Sequence, residues 1–273
     1  MSIDARAALD VDVIVVAHNA GALLAGAVRT AAEQAGEDRV WVVDAESTDG
    51  SVAPVRAAYP ETHVLEVPNA GFSASNNRAI ERTEGAYVML LNPDAELAPG
   101  ALERLVATAR DNPRAGIVGA LVVNPDGSVQ AEGRGHYPSL RRAAGYRLWR
   151  EWQRIRGNRA MSPRVPRRVT SAQWVTGAGM LVRRRAIDEV GPLDERFFLY
   201  LEDVDWCRRM RDSGWRVLVD PEARVVHHLQ QSGVQSGVLS NAYVESLMKY
   251  CDKYRLRVFK RVMERRFASK EAL

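Results

Sequence analysis

Cysteine is almost absent from this chain. Two in 273 residues, Cys207 and Cys251, with no CxxC or Cys/His spacing, exclude a disulfide framework and a zinc site and fit a reducing cytoplasm. Long apolar runs are missing as well. No stretch approaches the ~20 apolar residues that span a bilayer, and the opening MSIDARAALDVD is polar and acidic where a signal peptide is basic and then apolar. The sequence therefore predicts a protein that is neither secreted through a signal peptide nor transmembrane. No internal repeat is visible. A hydrophobic content of 46% is ample for a core that needs no covalent staples.

Acid is missing from two segments. Residues 134–170 carry 11 Arg against the single acid Glu151, and residues 249–270 carry nine Lys and Arg against Asp252 and Glu264. The net charge of +4 is thus the sum of +10, +7 and a remaining body of −13. An acidic body with two basic segments predicts that those segments face something anionic.

Strand and helix patterns alternate along the first half. VDVIVVA (11–17), RVWVVD (39–44), THVLEV (62–67) and YVMLL (87–91) read as strands. Ala22–Gln34, Thr48–Tyr59, residues 73–83 and the stretch after Pro99 read as helices. Strands separated by such helices make a parallel sheet, whose ligands bind beyond the C-terminal strand ends. Polar residues cluster at those ends: His18 and Asn19, then Asp44, then Asn69 and Gly71, then Asn92 and Asp94.

After about residue 115 the pattern changes. IVGALVVNPDGSVQ reads as a hairpin around Asp126-Gly127, followed by the Arg-rich stretch and two apolar pieces, QWVTGAGMLV (173–182) and WRVLVDPEARVV (215–226). These make the mixed second half of one α/β domain over 1–240, with a nucleotide-binding half at about 11–115 and a catalytic half at about 116–240. A basic amphipathic helix is expected over 241–273. In GPLDERFFLYLEDVDW (191–206), Glu202, Asp203 and Asp205 follow Phe197, Phe198, Leu199, Tyr200 and Leu201. A carboxylate at the edge of a water-poor pocket can act as a base.

Read in order, VIVVAHN, VVDAESTDGS, NAGFSASNN, LLNPDAEL, NPDGS, WVTGAGMLVRR and GPLDERFFLYLEDVDWCRRMRDSGWRV resemble the family 2 glycosyltransferases, and within them the rhamnosyltransferase-like branch. The resemblance covers roughly residues 11–228. It implies a GT-A fold, a Rossmann-like mainly parallel sheet with helices on both faces, and a metal-dependent inverting transfer from a dTDP- or UDP-sugar. A hydroxyl of a glycan or polyprenyl-linked saccharide would be the acceptor, in cell-surface polysaccharide synthesis.

The resemblance also assigns residues. Asp203 takes the base role, with Glu202 the alternative, while Asp205 holds the loop or pairs with Arg208 or Arg209. Asp94 ends the family's DxD motif, here Asn92-Pro93-Asp94, and with His227 would bind Mg²⁺ or Mn²⁺. His228 is the neighbouring choice, and Glu96 a weaker ligand on the other side of the turn. Asp44 would accept from a pyrimidine imide N–H, beside His18 and Asn19, or else cap the next helix.

Asn69, Gly71 and Asn76 would lie at the diphosphate, where helix N-terminal amides can meet phosphate. Gly177 and Ala178 would leave room for the sugar. Trp174 is either a wall of that pocket or plain core; Asp194 and Glu195 contact the sugar, or Asp194 caps the following segment.

Two stripes, Leu148-Trp149-Trp152-Ile155 and Leu247-Cys251-Tyr254-Val258-Val262, suit an anionic membrane surface on the inner face of the plasma membrane, or a second subunit in a homodimer. An acidic body repels nucleic acid, so no nucleic-acid partner is expected. The rival class is a nucleotide-sugar-binding protein that has lost turnover. Asn92 and Ala45 depart from the family in that direction, and the intact Glu202-Asp203 pair argues against it.

Overall fold

The strand Val11–Ala17 (β1) sets the architecture. All seven residues are buried, and they divide by parity: Val11, Val13, Val15 and Ala17 enter one core, Ile14 and Val16 another. Successive side chains leave a strand on opposite faces, so a strand apolar at both parities needs helices on both sides. A computed structural model describes residues 9–138, 165–228 and 241–271 and provides that arrangement.

The remaining strands are Val40–Ala45 (β2), His63–Val67 (β3), Tyr87–Leu91 (β4), Ala95–Leu97 (β5), Ala115–Val123 (β6), Arg134–Gly135 (β7), Thr170–Ser171 (β8), Trp174–Val175 (β9), Gly179–Arg183 (β10) and Arg216–His227 (β11). The helices are Leu23–Ala35 (α1), Val52–Ala58 (α2), Phe72–Ile80 (α3), Ala101–Asp111 (α4), Arg184–Val190 (α5), Glu202–Asp212 (α6), Asn241–Lys253 (α7) and Arg257–Glu271 (α8). The described residues form a nine-stranded sheet in the order β3-β2-β1-β4-β10-β6-β11-β5, with β8 on β11, and a ribbon of β7 and β9.

Strands β3, β2, β1 and β4 run parallel, as do β6 and β11. Strand β10 is antiparallel to both β4 and β6. Residues of α1, α2 and α4 fill one core, and residues of α3, α5 and α6 fill the other. The order reverses between β1 and β4, the point at which open sheets leave a ligand crevice beyond their strand ends.

Strands β1 and β4 have their expected bounds, but the helix expected from Thr48 begins only at Val52. The polar STDGS cluster stitches loops together instead: Asp49 accepts from Gly21 N–H at 2.8 Å, Ser51 N–H at 3.0 Å and Ser51 Oγ–H at 2.7 Å. Gly50, at φ 74°, interrupts any earlier helical turn. The hairpin at Asp126-Gly127 reduces to a tight turn with one bridge, Val123 to Val129.

The expected single C-terminal helix is two helices. Arg255 takes a left-handed φ of 54° between α7 and α8. The break re-aims the stripe: Leu247, Cys251, Phe259 and Met263 pack together, while Val258 and Val262 turn outward at 63% and 45% exposure. The stripe at Leu148, Trp149, Trp152 and Ile155, like most of the Arg-rich segment, lies outside the described residues.

At the opposite end of β1 from the crevice, buried Asp12 accepts from Glu84 N–H at 3.0 Å and Gly85 N–H at 2.7 Å, and pairs with Arg39 at 3.1 Å. Asp12→Ala strands both amides and removes one of the two carboxylates that Arg39 meets. It should cost about 3 kcal/mol in urea denaturation without altering ligand binding at the far edge; a loss below ~1 kcal/mol would contradict this account.

Candidate active site

The first loops at the C-terminal edge are tied to one another. His18 Nδ1 lies 2.7 Å from the Ala45 carbonyl, and Asn19 Oδ1 accepts from Thr48 N–H at 2.8 Å while its own N–H donates to Ser47 Oγ at 3.1 Å. Asp44 Oδ1 accepts from Ser47 N–H at 2.9 Å. Asp44 thus braces its own loop, with α2 beginning well beyond it at Val52, and Asn19 joins β1's loop to β2's. His18 is exposed and Asp44 half-buried at the mouth of the crevice.

At the neighbouring strand end, β5 pairs antiparallel with the end of β11, setting His227 opposite Ala95 and Val226 opposite Glu96. The register decides between the two histidines. His227 Nε2 lies 3.1 Å from Asp94 Oδ1 and 3.2 Å from Asn92 Nδ2. His228 Nε2 faces Glu96 Oε1 at 3.3 Å, and Glu96 also meets Arg29 at 2.8 Å. Adjacent strand residues point to opposite faces, so only one histidine can share Asp94's.

Gln130 settles the tautomer of His227. Its Nε2 donates to the His227 carbonyl at 2.7 Å and to Asn124 Oδ1 at 2.8 Å, which orients Oε1 toward His227 Nδ1 at 3.0 Å. An amide oxygen only accepts, so Nδ1 carries a hydrogen and, in the neutral ring, Nε2 is the acceptor. With the ring neutral, Nε2 and the Asp94 oxygen 3.1 Å away form an N,O donor pair that a cation fits. Among the described residues no group of three or more His, Cys, Asp and Glu gathers as a metal cage. A divalent ion here would complete its shell with water or ligand oxygens, as Mg²⁺ commonly does.

The acid pair lies at the same edge. Strand β10 sets Gly179 opposite Leu91, so residues 176–178 stand beside the end of β4. Asp203 Oδ2 accepts from Gly177 N–H at 3.3 Å, and Oδ1 from Val204 N–H at 2.7 Å. Burial pushes the Asp203 carboxyl up to about 6, against the opposing pull of the Val204 and Gly177 amides and the Thr176 hydroxyl. Glu202 is 6% exposed and its Oε2 meets no partner. Burial, and then the charge of Asp203, hold it well above the ordinary carboxylate range. A carboxyl raised toward neutrality beside a second whose neutral form is favoured suits proton transfer.

The backbone leading into the pair is strained. Tyr200 and Leu201 both occupy the left-handed region, at φ 69° and 67°, where side-chain-bearing residues are uncommon and costly. Gly71 lets this segment close. At φ 95°, a Cβ there would strike the carbonyl of Phe198, to which Phe72 N–H donates at 2.7 Å. The first amide of α3, expected to face phosphate, is therefore occupied by the Phe198 carbonyl.

Other expected contacts have structural partners. Asn76 is buried and donates to Phe72 O at 2.8 Å inside its own helix. The next residue, Asn77, unremarked from sequence, clamps the 193–195 turn through Leu193 N–H, Leu193 O and Glu195 Oε1 at 3.0, 2.9 and 3.0 Å. Asn69 Oδ1 accepts from Gly71 N–H at 3.3 Å.

Asp194 is bound to Arg196 and Lys253, each at 2.6 Å. Burial pushes its carboxyl up, but those hydrogen bonds prevail and hold it well below its ordinary range. Asp205 pairs with Arg209 at 2.8 Å, as expected, and with Lys253 at 2.6 Å. Trp174 donates to the His136 carbonyl at 3.1 Å and lies against Gly135, with one edge in the cluster around Phe197 and Tyr250. Ala178 is fully buried, and Gly177 lies close to the Phe72 ring.

A mainly parallel α/β sheet with acids at its C-terminal edge and a buried acid pair defines the fold and candidate site, and comparison with known proteins gives the family. The family model for Glycosyl transferase family 2 matches residues 12–191, and this chain belongs to that family. It is 34% identical over 207 residues, 71% of this chain and 67% of the relative, to the N-acetylglucosaminyl-diphospho-decaprenol L-rhamnosyltransferase of Mycobacterium tuberculosis. It is 30% identical to the O-antigen biosynthesis protein RfbC of Myxococcus xanthus over 160 residues, 58% of this chain and 12% of that one.

Among solved structures, GalNAc-T7 with UDP, GalNAc and Mn²⁺ superposes with a TM-score of 0.61 at 14% identity, over 87% of this chain and 47% of that one. The mannosyltransferase PcManGT of Pyrobaculum calidifontis, in complex with GDP-Man and Mn²⁺, gives 0.57 at 20% identity, over 82% and 58%. This chain spans about half the length of those structures, and the fold is the expected GT-A fold.

Because Asp203 titrates higher folded than unfolded, the native state holds the extra proton between pH ~4 and ~6, and its stability falls as pH rises through that window. Asp203→Asn removes this contribution. The melting temperature of the variant relative to wild type should rise between pH 4.5 and 7.5; a constant difference would mean that Asp203 titrates normally.

Proposed function

We propose that this chain is an inverting glycosyltransferase that moves rhamnose or another hexose from a dTDP- or UDP-sugar to a hydroxyl of a glycan or polyprenyl-linked saccharide. The observation that carries the reading is Asp203. Its carboxylate is held at the crevice edge by two backbone amides and raised to about 6 by burial. The mycobacterial relative, named for an L-rhamnosyl transfer to a diphospho-decaprenol-linked sugar, supports a deoxysugar donor and a lipid-linked acceptor.

In this mechanism the acceptor hydroxyl hydrogen-bonds to Asp203. As its oxygen attacks the anomeric carbon, the bond from that carbon to the diphosphate breaks on the opposite face and the hydroxyl proton passes to Asp203. Burial favours this step because it disfavours the charged carboxylate. Burial and the Asp203 charge favour the neutral form of Glu202 beside it, which limits a second negative charge. Single displacement inverts the anomeric centre without a covalent intermediate. Asp94 and His227 would hold a divalent cation, Mg²⁺ or Mn²⁺, which when bound supplies charge neutralisation to the leaving diphosphate. Asp44 and His18, at the neighbouring loops, would face the pyrimidine.

No helix among the described residues is long and apolar enough to cross a membrane. The exposed pair Val258 and Val262 on α8, flanked by exposed Arg257, Arg261 and Arg265, has the composition of an interfacial helix. It would hold the enzyme peripherally on the inner face of the plasma membrane, beside a polyprenyl-linked acceptor.

Asp203→Asn should lower turnover ~10²-fold or more with nucleoside diphosphate affinity near wild type, whereas Asp94→Asn should weaken Mn²⁺-dependent nucleotide binding as well. Calorimetry with uridine and thymidine diphosphate, with and without chelator, together with donor-consumption kinetics, separates the two. Near-normal turnover in Asp203→Asn alongside its loss in Glu202→Gln would move the base to Glu202.

The protein should also sediment with phosphatidylglycerol-containing vesicles at low salt and release as salt rises, since each surface Arg contributes ~1 kcal/mol that ions screen. Val258→Glu with Val262→Glu should weaken that association while the melting temperature holds. Binding indifferent to both salt and substitution would favour a subunit interface on this face.

A further inference from the structure

Nothing in residues 197–203 alone explains why two successive side-chain-bearing residues stay left-handed directly before the acid pair. The support comes from α7, some 40 residues further on. Ser246, 2% exposed, donates from Oγ to the Leu199 carbonyl at 2.7 Å, one residue before the left-handed pair begins. The Tyr243 ring meets Tyr200 edge-on at 5.9 Å between centroids. Tyr250 is fully buried in one cluster with Phe197, Leu201 and Val204.

Lys253 reaches Asp194 Oδ2 and Asp205 Oδ1, each at 2.6 Å, and Tyr254 donates its hydroxyl to Asp205 Oδ1 at 2.8 Å. Residues 243, 246, 250 and 253 recur at helical spacing on one face. That face grips the segment from Asp194 to Asp205 at points on both sides of Asp203, while Leu247 and Cys251 on the adjoining face pack against α8. The family model ends at residue 191, before both the acid pair and α7.

We propose that α7 is a positioning element for the catalytic base: the Ser246 hydroxyl fixes the Leu199 carbonyl, holding Tyr200 and Leu201 left-handed so that Asp203 meets Gly177 at the crevice edge. Ser246 touches no reacting atom; it acts through the loop. The inference rests on the reading of Asp203 as base, and it explains why a strained turn persists there, since such turns survive only where the surroundings over-determine them.

The test compares wild type, Ser246→Ala and Ser246→Thr as full chains in two independent readouts. The first is the ¹³C carboxyl titration of Asp203, assigned by the resonance lost in Asp203→Asn. Ser246→Ala should shift its midpoint down toward an ordinary aspartate as the loop loosens and water enters, and Ser246→Thr should restore it. The second is transfer from a pyrimidine nucleotide-sugar. Ser246→Ala should lower kcat ~10-fold with donor KM and nucleoside diphosphate Kd within about twofold, and Thr should recover most of the loss.

An unchanged titration in Ser246→Ala overturns the proposal, as does a kcat loss that Thr fails to restore and that follows a lowered melting temperature. A wild-type chain inert toward every nucleotide-sugar would defeat the reading of the site instead, and the titration would still judge the clamp. Should Ser246→Ala fail to fold, Ser246→Cys, which keeps the size of the side chain and replaces the hydroxyl by a weak donor, carries the same comparison with the same outcomes.

Discussion

The site depends on one antiparallel pairing. Strand β10 enters between β4 and β6 against the direction of both, with Gly179 opposite Leu91. The chain leaving β4 therefore starts toward Asn92 and Asp94 at the point where Thr176, Gly177 and Ala178 arrive. A parallel strand in that slot would carry residues 176–178 to the far edge of the sheet, away from Asp94. Because Gly177 N–H holds Asp203 Oδ2, this register also positions the acid pair. Gly179 itself is confined: a Cβ there would lie 2.9 Å from Val225 Cγ2 on β11, so tight packing across three strands preserves the alignment.

Much of this was legible in the chain, for identifiable reasons. Strands β1 and β4 are apolar at both parities, which only a sheet covered on two faces explains. The acid pair stood out because carboxylates seldom follow five apolar and aromatic residues without a role. What stayed hidden has a common cause in long-range geometry. Adjacent histidines are indistinguishable until the β5–β11 register assigns them to opposite faces. Gln130 holds His227 from 97 positions away, and no local pattern marks it.

A one-residue step around a helix separates Asn76, which turns back on its own helix, from Asn77, which holds Leu193 and Glu195. Asp194 looked available for a sugar because Lys253, 59 residues on, could not be seen beside it. The break between α7 and α8 has neither Gly nor Pro at its left-handed residue, Arg255, so periodicity ran straight through it. Where the fold is made of unbroken apolar runs, as in β1 and β4, the reading has the right bounds; where it is made of contacts between loops or distant segments, only the folded structure shows it.

The electrostatics of the crevice pose a constraint that the individual residues answer together. A nucleotide-sugar, the proposed donor, is anionic, and the edge it would approach carries Asp44, Asp94, Glu202 and Asp203. Left fully ionised, four carboxylates would repel it. The structure reduces that field locally. Burial and the charge of its neighbour raise the Glu202 carboxyl well above its ordinary range and so favour its neutral form; Asp203, raised to about 6, loses its charge on accepting a proton. Asp94 pairs with the His227 ring nitrogen at 3.1 Å, and Asp44 braces its own loop through Ser47 N–H. In the proposed reading a dication held by Asp94 would offset that carboxylate and leave positive charge where a diphosphate would lie.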